Sequence, residues 1–556
     1  MEIEPRHLSL GKLLTGRLFR IPDYQRSYSW RKKQRNDMFC DIKAIASDLN
    51  RTHFMSTVVG LRRETVRILT DEHHRIDIVD GQQRLTTLII LLRSIANILS
   101  TKRQNEKIVR QDLEKILIKK DKVSLLLLQT NHDTGNYFAN YLRYGSHESA
   151  GIAKTAADKE LLLAIEECEK FVADWVKEKG DLIELVSLLK NRLTFIFHEI
   201  DEEKLVYTVF EVLNSRGLDV SWFDRLKSML MAVVFESDGG NVSEHIKEVH
   251  KIWSQIYECA GLDLELSTEA LRFAATLWLE EQPKRLLSEA DAVECLREKS
   301  SRGAAEVIST SRWLLRVTQA VARLYADHQR KAVTEFSQAR LLAVAVNLRE
   351  DLTADEREAL LQRWENVTFR IYGIHRKDSR TKVGDYVRLA WAVTRGELDP
   401  EGVLAQLKWI GRDFPLARGL DEFVKNEDCY SGWGEEIRYM LYRRERYLAE
   451  HQDRTLNEKK WKAIWEGQAA ESIEHVLPQK NREQKLVHRL GNLVLLPPRV
   501  NSRLGATEPK KKKEEYLKTG LLVAQEVADS LPAWDARAIR QREKELLAWA
   551  KKEWAD

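Results

Sequence analysis

Glu474 and His475 stand side by side at the end of an apolar run, Ser472-Ile473-Glu474-His475-Val476-Leu477-Pro478, and Asn492 and Asn501 follow at short intervals. An imidazole titrates in the range a general base needs, and carboxylate or carboxamide oxygens suit a hard divalent cation. The set fits metal-assisted hydrolysis of a phosphodiester, with His475 taking a proton from water. Neighbouring side chains on a strand point to opposite faces, so Glu474 and His475 share a site only where the strand ends or twists. Pro478 makes such an exit natural. Structural roles are open at each position: His475 a bonded core histidine, Asn492 a turn residue, Asn501 a helix N-cap.

A second constellation, Asp80-Gly81-Gln82-Gln83-Arg84, lies where a strand gives way to an apolar-striped helix. Free N–H groups and the helix dipole draw phosphate to such a start, Gly81 permits close backbone approach, and Arg84 can fork onto a phosphate. Gln82 and Gln83 add amides able to read a base edge, a ribose or a water. Asp80 can hold magnesium, orient an arginine or simply cap the helix. The segment 21–30, IPDYQRSYSW, places Gln25 and Arg26 among aromatic residues; Arg26 on phosphate and Tyr24 on a base is one reading, a hairpin with Tyr28 and Trp30 in the core the other. Asn214-Ser215-Arg216-Gly217, with Asp224 and Lys227 after it, reads either as polar ligands or as caps and a solvated helix face. Near the first site, Arg499, Arg503, Lys510, Lys511, Lys512 and Lys513 form a patch suited to DNA phosphates, or a solvated helix face.

The elements that must position these residues follow from periodicity. Segments 54–60, 66–69 and 75–79 predict short strands, and Leu85, Leu88, Ile89, Leu92, Ile95 and Leu99 a helix. Residues 100–190 read as helices rich in Leu, Lys and Glu, an insertion or a lid, and 193–200 as a strand. A helical stripe from Leu205 to Leu213 ends at Gly217, and Ser221 with Asp224 fits the opening of the next helix. Residues 240–455 carry helices alone, with a long one across 434–450. Then 493–496 predicts a buried strand, a helix follows Pro497-Pro498, and a lysine-rich helix starts near Pro509. The expected division is 1–235, 236–454 and 455–556, a multidomain α+β chain.

Composition sets bounds. The 556 residues exceed what one core supports, and 43% hydrophobic with 32% charged residues describes a globular chain. A net charge of +4 from 90 basic and 86 acidic residues leaves only local patches informative. Five scattered cysteines without a Cys-x-x-Cys pair argue against structural zinc and a disulfide framework. No apolar leader or membrane-length run is visible, so a cytoplasmic protein without a membrane partner is expected.

In order and wording, PDYQRSYSW at 22–30, DIVDGQQRLTTL at 77–88 and VFEVLNSRG at 209–217 resemble the N-terminal (DUF262) domain of GmrSD-type, modification-dependent (type IV) restriction enzymes. The resemblance covers about residues 8–235, with Ser27 where relatives often carry proline. It implies a ParB/sulfiredoxin-like fold with a helical insertion, and nucleotide binding and hydrolysis around Asp80, Gly81, Gln82, Gln83 and Arg84, with Gln25, Arg26, Asn214 and Lys227. IEHVLPQ at 473–479 and LGNLVLLPPRVNSRLG at 490–505 are similar to the family's C-terminal (DUF1524) domain, an HNH or His-Me finger nuclease of the ββα-metal type, over about residues 455–530. It implies His475 as general base, Asn492 as the brace of the turn and Asn501 as metal ligand. Glu474 stands where relatives carry an aspartate ligand. SspE-type and BrxU-type phage-defence proteins share both modules.

The implied function is a nucleotide-regulated endonuclease, dependent on magnesium or manganese and a nucleoside triphosphate. Its implied substrate is double-stranded phage DNA carrying glucosylated hydroxymethylcytosine or phosphorothioate, cut by a monomer or a homo-oligomer. A nucleotide-regulated nucleic-acid-binding protein that does not cut, an RNA-directed nuclease, and a DGQQR domain that reads DNA modification instead of hydrolysing nucleotide are the alternatives.

Overall fold

The computed structural model describes the chain except residues 1–4, 23–24, 26, 47–51, 120–124, 131–134, 202–220, 237–241, 262, 426–427, 481–483, 532 and 556. Asp23, Tyr24, Arg26 and the Leu205–Gly217 helix-and-cap expectation, with Asn214, lie outside the described residues. Two compact units form: Met1–Leu271 with Glu289–Thr318, and Arg272–Ser288 with Gln319–Asp556.

The first unit is an α/β layer structure. Its strands are β1 (Pro5–Ser9), β2 (Arg17–Arg20), β3 (His53–Ile68), β4 (Asp71–Asp80), a short ribbon β5 (Ile118–Lys119) and β6 (Leu125–Leu126), then β7 (Leu128–Gln129) and β8 (Leu193–Ile200). Six of them make one mixed sheet in the order β1-β8-β3-β4-β2-β7. The segments 54–60 and 66–69 belong to a single strand, because the Arg62-Arg63-Glu64 stretch between them lies on the outer part of the β3–β4 hairpin, where charged side chains need no burial. Leu69, at φ 54, turns the chain. β7 adds an edge strand within a stretch that reads as helical.

Helix Gln82–Ile98 carries its apolar residues almost all round, from Leu85 through Leu88–Leu92 to Ile95, and all of these are buried. Helices from the 100–192 stretch, Gln104–Leu117 and Ala156–Glu178 among them, share one core with it and with Ile76 and Ile78 of β4. That stretch therefore completes the core. Ser221 caps helix Trp222–Glu236 as expected, its hydroxyl accepting from Asp224 N at 3.2 Å.

From Trp222 to Ser472 every regular element among the described residues is helical, including a π-helical turn at Phe369–Ile374. In the second unit the buried Glu365 carboxylate gathers Gln329, Arg330, Tyr439 and Arg443 within 3.1 Å, so a charge that would be costly alone is fully bonded. The long helix is Gly434–His451. Its Glu445 caps another helix, Leu522–Ser530, accepting from the Leu522 and Val523 amides at 2.9 and 2.7 Å.

A small β-containing domain follows, consistent with a ββα-type fold. β9 (Ile473–His475) pairs antiparallel with β10 (Leu493–Leu495), His475 opposite Leu493, and helices Pro498–Leu504, Pro509–Thr519 and Ala536–Glu553 pack around them. None of the five cysteines forms a disulfide. No described helix is long and apolar enough to cross a membrane.

Candidate functional site

β9 ends at His475, and the chain leaves it through a turn that Asn492 holds on every side. The Asn492 Oδ1 accepts from Leu477 N at 2.7 Å and from Trp534 Nε1 at 3.0 Å, while Nδ2 donates to Leu477 O and Val487 O at 3.0 and 2.7 Å. Its backbone carbonyl takes the Val476 amide at 3.0 Å. Gly491 has to be glycine: a Cβ there would sit 2.0 Å from Ile539 O. From the same helix the buried Arg542 donates to Gly491 O and Leu493 O at 2.8 and 2.7 Å, and burial pushes its guanidinium down to about 10. Trp534 and Arg542 carry no motif that would reveal them in sequence.

The His475 ring is bonded at both nitrogens. Nε2 lies 3.2 Å from His488 Nδ1, and Nδ1 lies 3.1 Å from Gln479 Nε2. An amide nitrogen only donates, so Nδ1 accepts and Nε2 carries the hydrogen passed to His488. Tyr430 packs edge-on to His475, centroids 4.5 Å apart, and stacks on His488 at 5.5 Å. Burial above all, then His488 and Lys512, pushes His475 down to about 3, with Asp428 opposing, so the ring is neutral at physiological pH. His488, Gln479 and Tyr430 are functional neighbours that motif reading passes over; only the local density of polar side chains after Glu474-His475 hints at them.

Glu474 faces the other way, as strand alternation demands. Lys512 Nζ lies 2.6 Å from its Oε1 and 2.7 Å from His475 O, and Tyr516 OH donates to the same carboxylate oxygen at 3.1 Å. The pair is buried. Desolvation raises Glu474 and lowers Lys512, and their mutual attraction holds both. Lys512 therefore stands apart from Lys510, Lys511, Lys513 and Arg499, which are exposed, and from Arg503, exposed but paired with Glu515.

Asn501 sits on helix Pro498–Leu504 and donates through Nδ2 to Glu471 O at 2.8 Å and Ile473 O at 3.3 Å. Those bonds fix its orientation and leave Oδ1 without a partner among the described residues. Among those residues no group of three or more His, Cys, Asp or Glu is placed to hold a metal. The donor left open there is one neutral amide oxygen, Asn501 Oδ1, so a hard cation at this place would take its other ligands from substrate oxygens and water.

In the other unit the two N-terminal motifs meet. Gly81, at φ 88, precedes helix Gln82–Ile98, and a Cβ on it would press Val58 and Thr57 O at 3.0 and 3.2 Å. Gln25 donates to Val79 O at 3.0 Å. Gln83 uses both ends of its amide on the same segment, donating to Ser27 O at 2.9 Å and accepting from Ser29 N at 2.8 Å. Tyr28 bonds Thr87 at 2.8 Å, and Trp30 is buried beneath the Arg84 guanidinium, 5.5 Å away. Gln25 and Gln83 thus brace the segment. Arg84, lowered by burial, keeps Asp80 nearby, and Gln82 is buried with its Oε1 unpartnered among the described residues. That orphan acceptor beside free helix-start amides fits a polar ligand better than a closed core. Lys227 is buried, its ammonium 5.7 Å over Tyr257, which bonds Asp224 at 2.6 Å.

No curated protein matches the chain. Two family profiles do: GmrSD restriction endonuclease, N-terminal domain, over residues 10–231, and GmrSD restriction endonucleases, C-terminal domain, over residues 417–549. They cover the two motif-bearing regions and, together, well over half the sequence, so the chain belongs to the GmrSD-type restriction-enzyme family.

Proposed function

We infer that the protein is a nucleotide-regulated, metal-dependent endonuclease of phage defence that cuts modified double-stranded DNA, glucosylated on hydroxymethylcytosine or phosphorothioated. The observation that carries this reading is the placement of His475 at a strand exit, braced through Nε2 by His488 and turned through Nδ1 toward the exposed Gln479. Water replacing the Gln479 amide would meet Nδ1 as a proton acceptor. Asn492 keeps the turn fixed while that proton moves. A divalent ion, magnesium or manganese, would be held at Asn501 Oδ1 and would polarise the phosphodiester. Glu474 serves the site through Lys512, whose ammonium bonds the His475 carbonyl. Lys510, Lys511, Lys513, Arg499 and Arg503 are the outward cations for DNA phosphates.

The finer division into 1–235, 236–454 and 455–556 assigns sensing, spacing and cutting, with a ParB/sulfiredoxin-like first domain and a ββα-metal last one. In the first, Arg84, Gln82, Asp80 and the amides after Gly81 receive a nucleoside triphosphate, with Arg26, Asn214 and Lys227 as further ligands by family resemblance and Gln25 and Gln83 bracing the 25–29 segment. NTP hydrolysis there belongs to the same proposal, as do a cytoplasmic setting and homo-oligomerisation. The neutralised Glu474 is what favours the alternative, a nucleic-acid-binding protein that does not cut. Digestion of unmodified, glucosylated and phosphorothioated DNA, each with and without ATP, GTP, CTP or UTP and with duplex RNA in parallel, decides between them. Cleavage of modified DNA alone is expected. Intact DNA under every condition would sink the nuclease reading.

A further inference from the structure

Residues 375–382, His-Arg-Lys-Asp-Ser-Arg-Thr-Lys, hold four lysines and arginines against one acid, and they lie outside both stretches matched to the family. The segment leaves the π-helical turn Phe369–Ile374 and leads into helix Val383–Thr394. Its backbone is costly: Arg376 and Lys382 adopt φ 49 and 57, a region that favours glycine. Arg376 through Arg380 are exposed, so no core packing requires the Arg376 conformation.

The cations nearest the nuclease centre in this loop make no salt bridge among the described residues, although Glu436 and Glu422 lie within electrostatic reach of Arg376 and Lys377. Arg376 donates to Gly432 O at 2.9 Å and lies 4.4 Å over the Trp433 ring. Gly432 is two residues from Tyr430, the ring packed on His475. Lys377 lies 6.0 Å from the Phe414 ring. Neither Arg376 nor Lys377 pairs with a carboxylate among the described residues, whereas Arg380 pairs with Asp378, and Lys382 with Asp413 and Asp385. Beyond them Trp409 is 42% exposed, with Arg412 4.2 Å over its ring.

We propose that the 375–382 loop is a duplex-DNA contact of the nuclease, in which Arg376 and Lys377 bind backbone phosphates flanking the phosphodiester that the water activated by His475 attacks. Duplex DNA carries one charge per ~1.7 Å of axis, so cations one loop away from the imidazole meet phosphates a few base pairs from the cut. Stacking on Trp433 occupies a face of the Arg376 guanidinium and leaves its edge for a forked phosphate contact. The contact is sequence-independent: it holds the duplex in register and reads no base. This inference rests on the nuclease reading of His475.

The test uses full-length His475→Ala protein, which cannot consume its ligand, with and without Arg376→Gln plus Lys377→Gln, binding a short unmodified DNA duplex across a salt series. Each lost phosphate contact lowers the slope of log affinity against log salt by about 0.9, so the double change should flatten it by about 1 to 2 and weaken low-salt binding about tenfold. Lys377→Glu alone, at an exposed side chain, should act in the same direction even where the Arg376 change disturbs Trp433. With His475 restored, the variants should raise KM and leave kcat unchanged. Slopes and affinities equal to the parent overturn the proposal, as does tighter binding to duplex RNA with the same dependence on these residues. If the parent neither binds nor cuts any DNA, the nuclease reading falls and takes this one with it. A parent that cuts normally beside indifferent variants sinks the loop alone.

Discussion

As the proposed base, His475 requires that one of its ring nitrogens be released while the other stays braced, and the two partners differ in how easily they leave. Gln479 is exposed, while His488 is held under Tyr430 with its carbonyl on Cys429 N at 2.9 Å. His475→Ala should cut DNA at least ~100-fold more slowly while binding it nearly as well, because a lost base removes transition-state chemistry and little affinity; single-turnover digestion measures this. His488→Ala should also slow cleavage, and His488→Asn, which keeps an acceptor near Nε2, should recover part of the rate. A further consequence concerns acid. Above pH 6.5 His475 is neutral in both folded and unfolded chains; between 6.5 and about 3 the unfolded chain takes the proton and the folded one does not. Stability from this residue is thus lost as pH falls through that window, whereas the free enzyme keeps its base deprotonated below pH 6. A pH profile of kcat/KM with an acid limb centred at 6.5 on this imidazole would contradict the buried environment. Lys512→Ala leaves Glu474 buried and unpaired and should destabilise the protein by about 3–5 kcal/mol, read as a lower unfolding midpoint; an unchanged midpoint would make the pair ornamental.

At the level of elements, two three-residue strands cannot hold a catalytic geometry by themselves. The hairpin is fixed from outside, by Asn492 bonded to Trp534 and by Arg542 bonded across Gly491 and Leu493. Gly491→Ala, forced against Ile539 O, should therefore lower stability and cleavage together, detectable as a melting shift with a matching fall in rate. Much of this frame was legible. The strand at 193–200, the helix after Gly81, the helix after Pro497 and the long helix before residue 451 follow from period and punctuation alone. The single β3 was not, because its charged middle breaks the alternation where the ladder shifts register between Arg62 and Thr65 and then resumes. Nor were the Arg542 and Trp534 clamps, or the turning of Glu474 onto Lys512: those contacts join residues far apart in sequence, and no local spacing encodes them. At the first motif, sequence marks Gln25 and Gln83 as polar and special, but only their partners separate a brace from a ligand.

For the whole molecule, joining a DGQQR region and a nuclease centre in one chain suggests that the state of one sets the activity of the other. Arg84→Ala should alter DNA cleavage although the residue is not part of the C-terminal domain, while His475→Ala should leave nucleotide hydrolysis measurable. Binding reciprocity adds that DNA must change nucleotide affinity by the factor with which nucleotide changes DNA affinity. Calorimetry and digestion of both variants at matched concentrations check this; cleavage indifferent to every nucleotide and to Arg84 would mean two uncoupled modules.

The dependence of β9 and β10 on Trp534 and Arg542 also orders events in time. A ribosome makes Glu474, His475 and Asn492 before it makes the indole and the guanidinium that clamp them, and chains fold from the N-terminal side as they emerge. The growing polypeptide therefore carries the proposed base before the frame that aims it, and a chain stopped short of helix Ala536–Glu553 should hold the β9–β10 turn without its clamp.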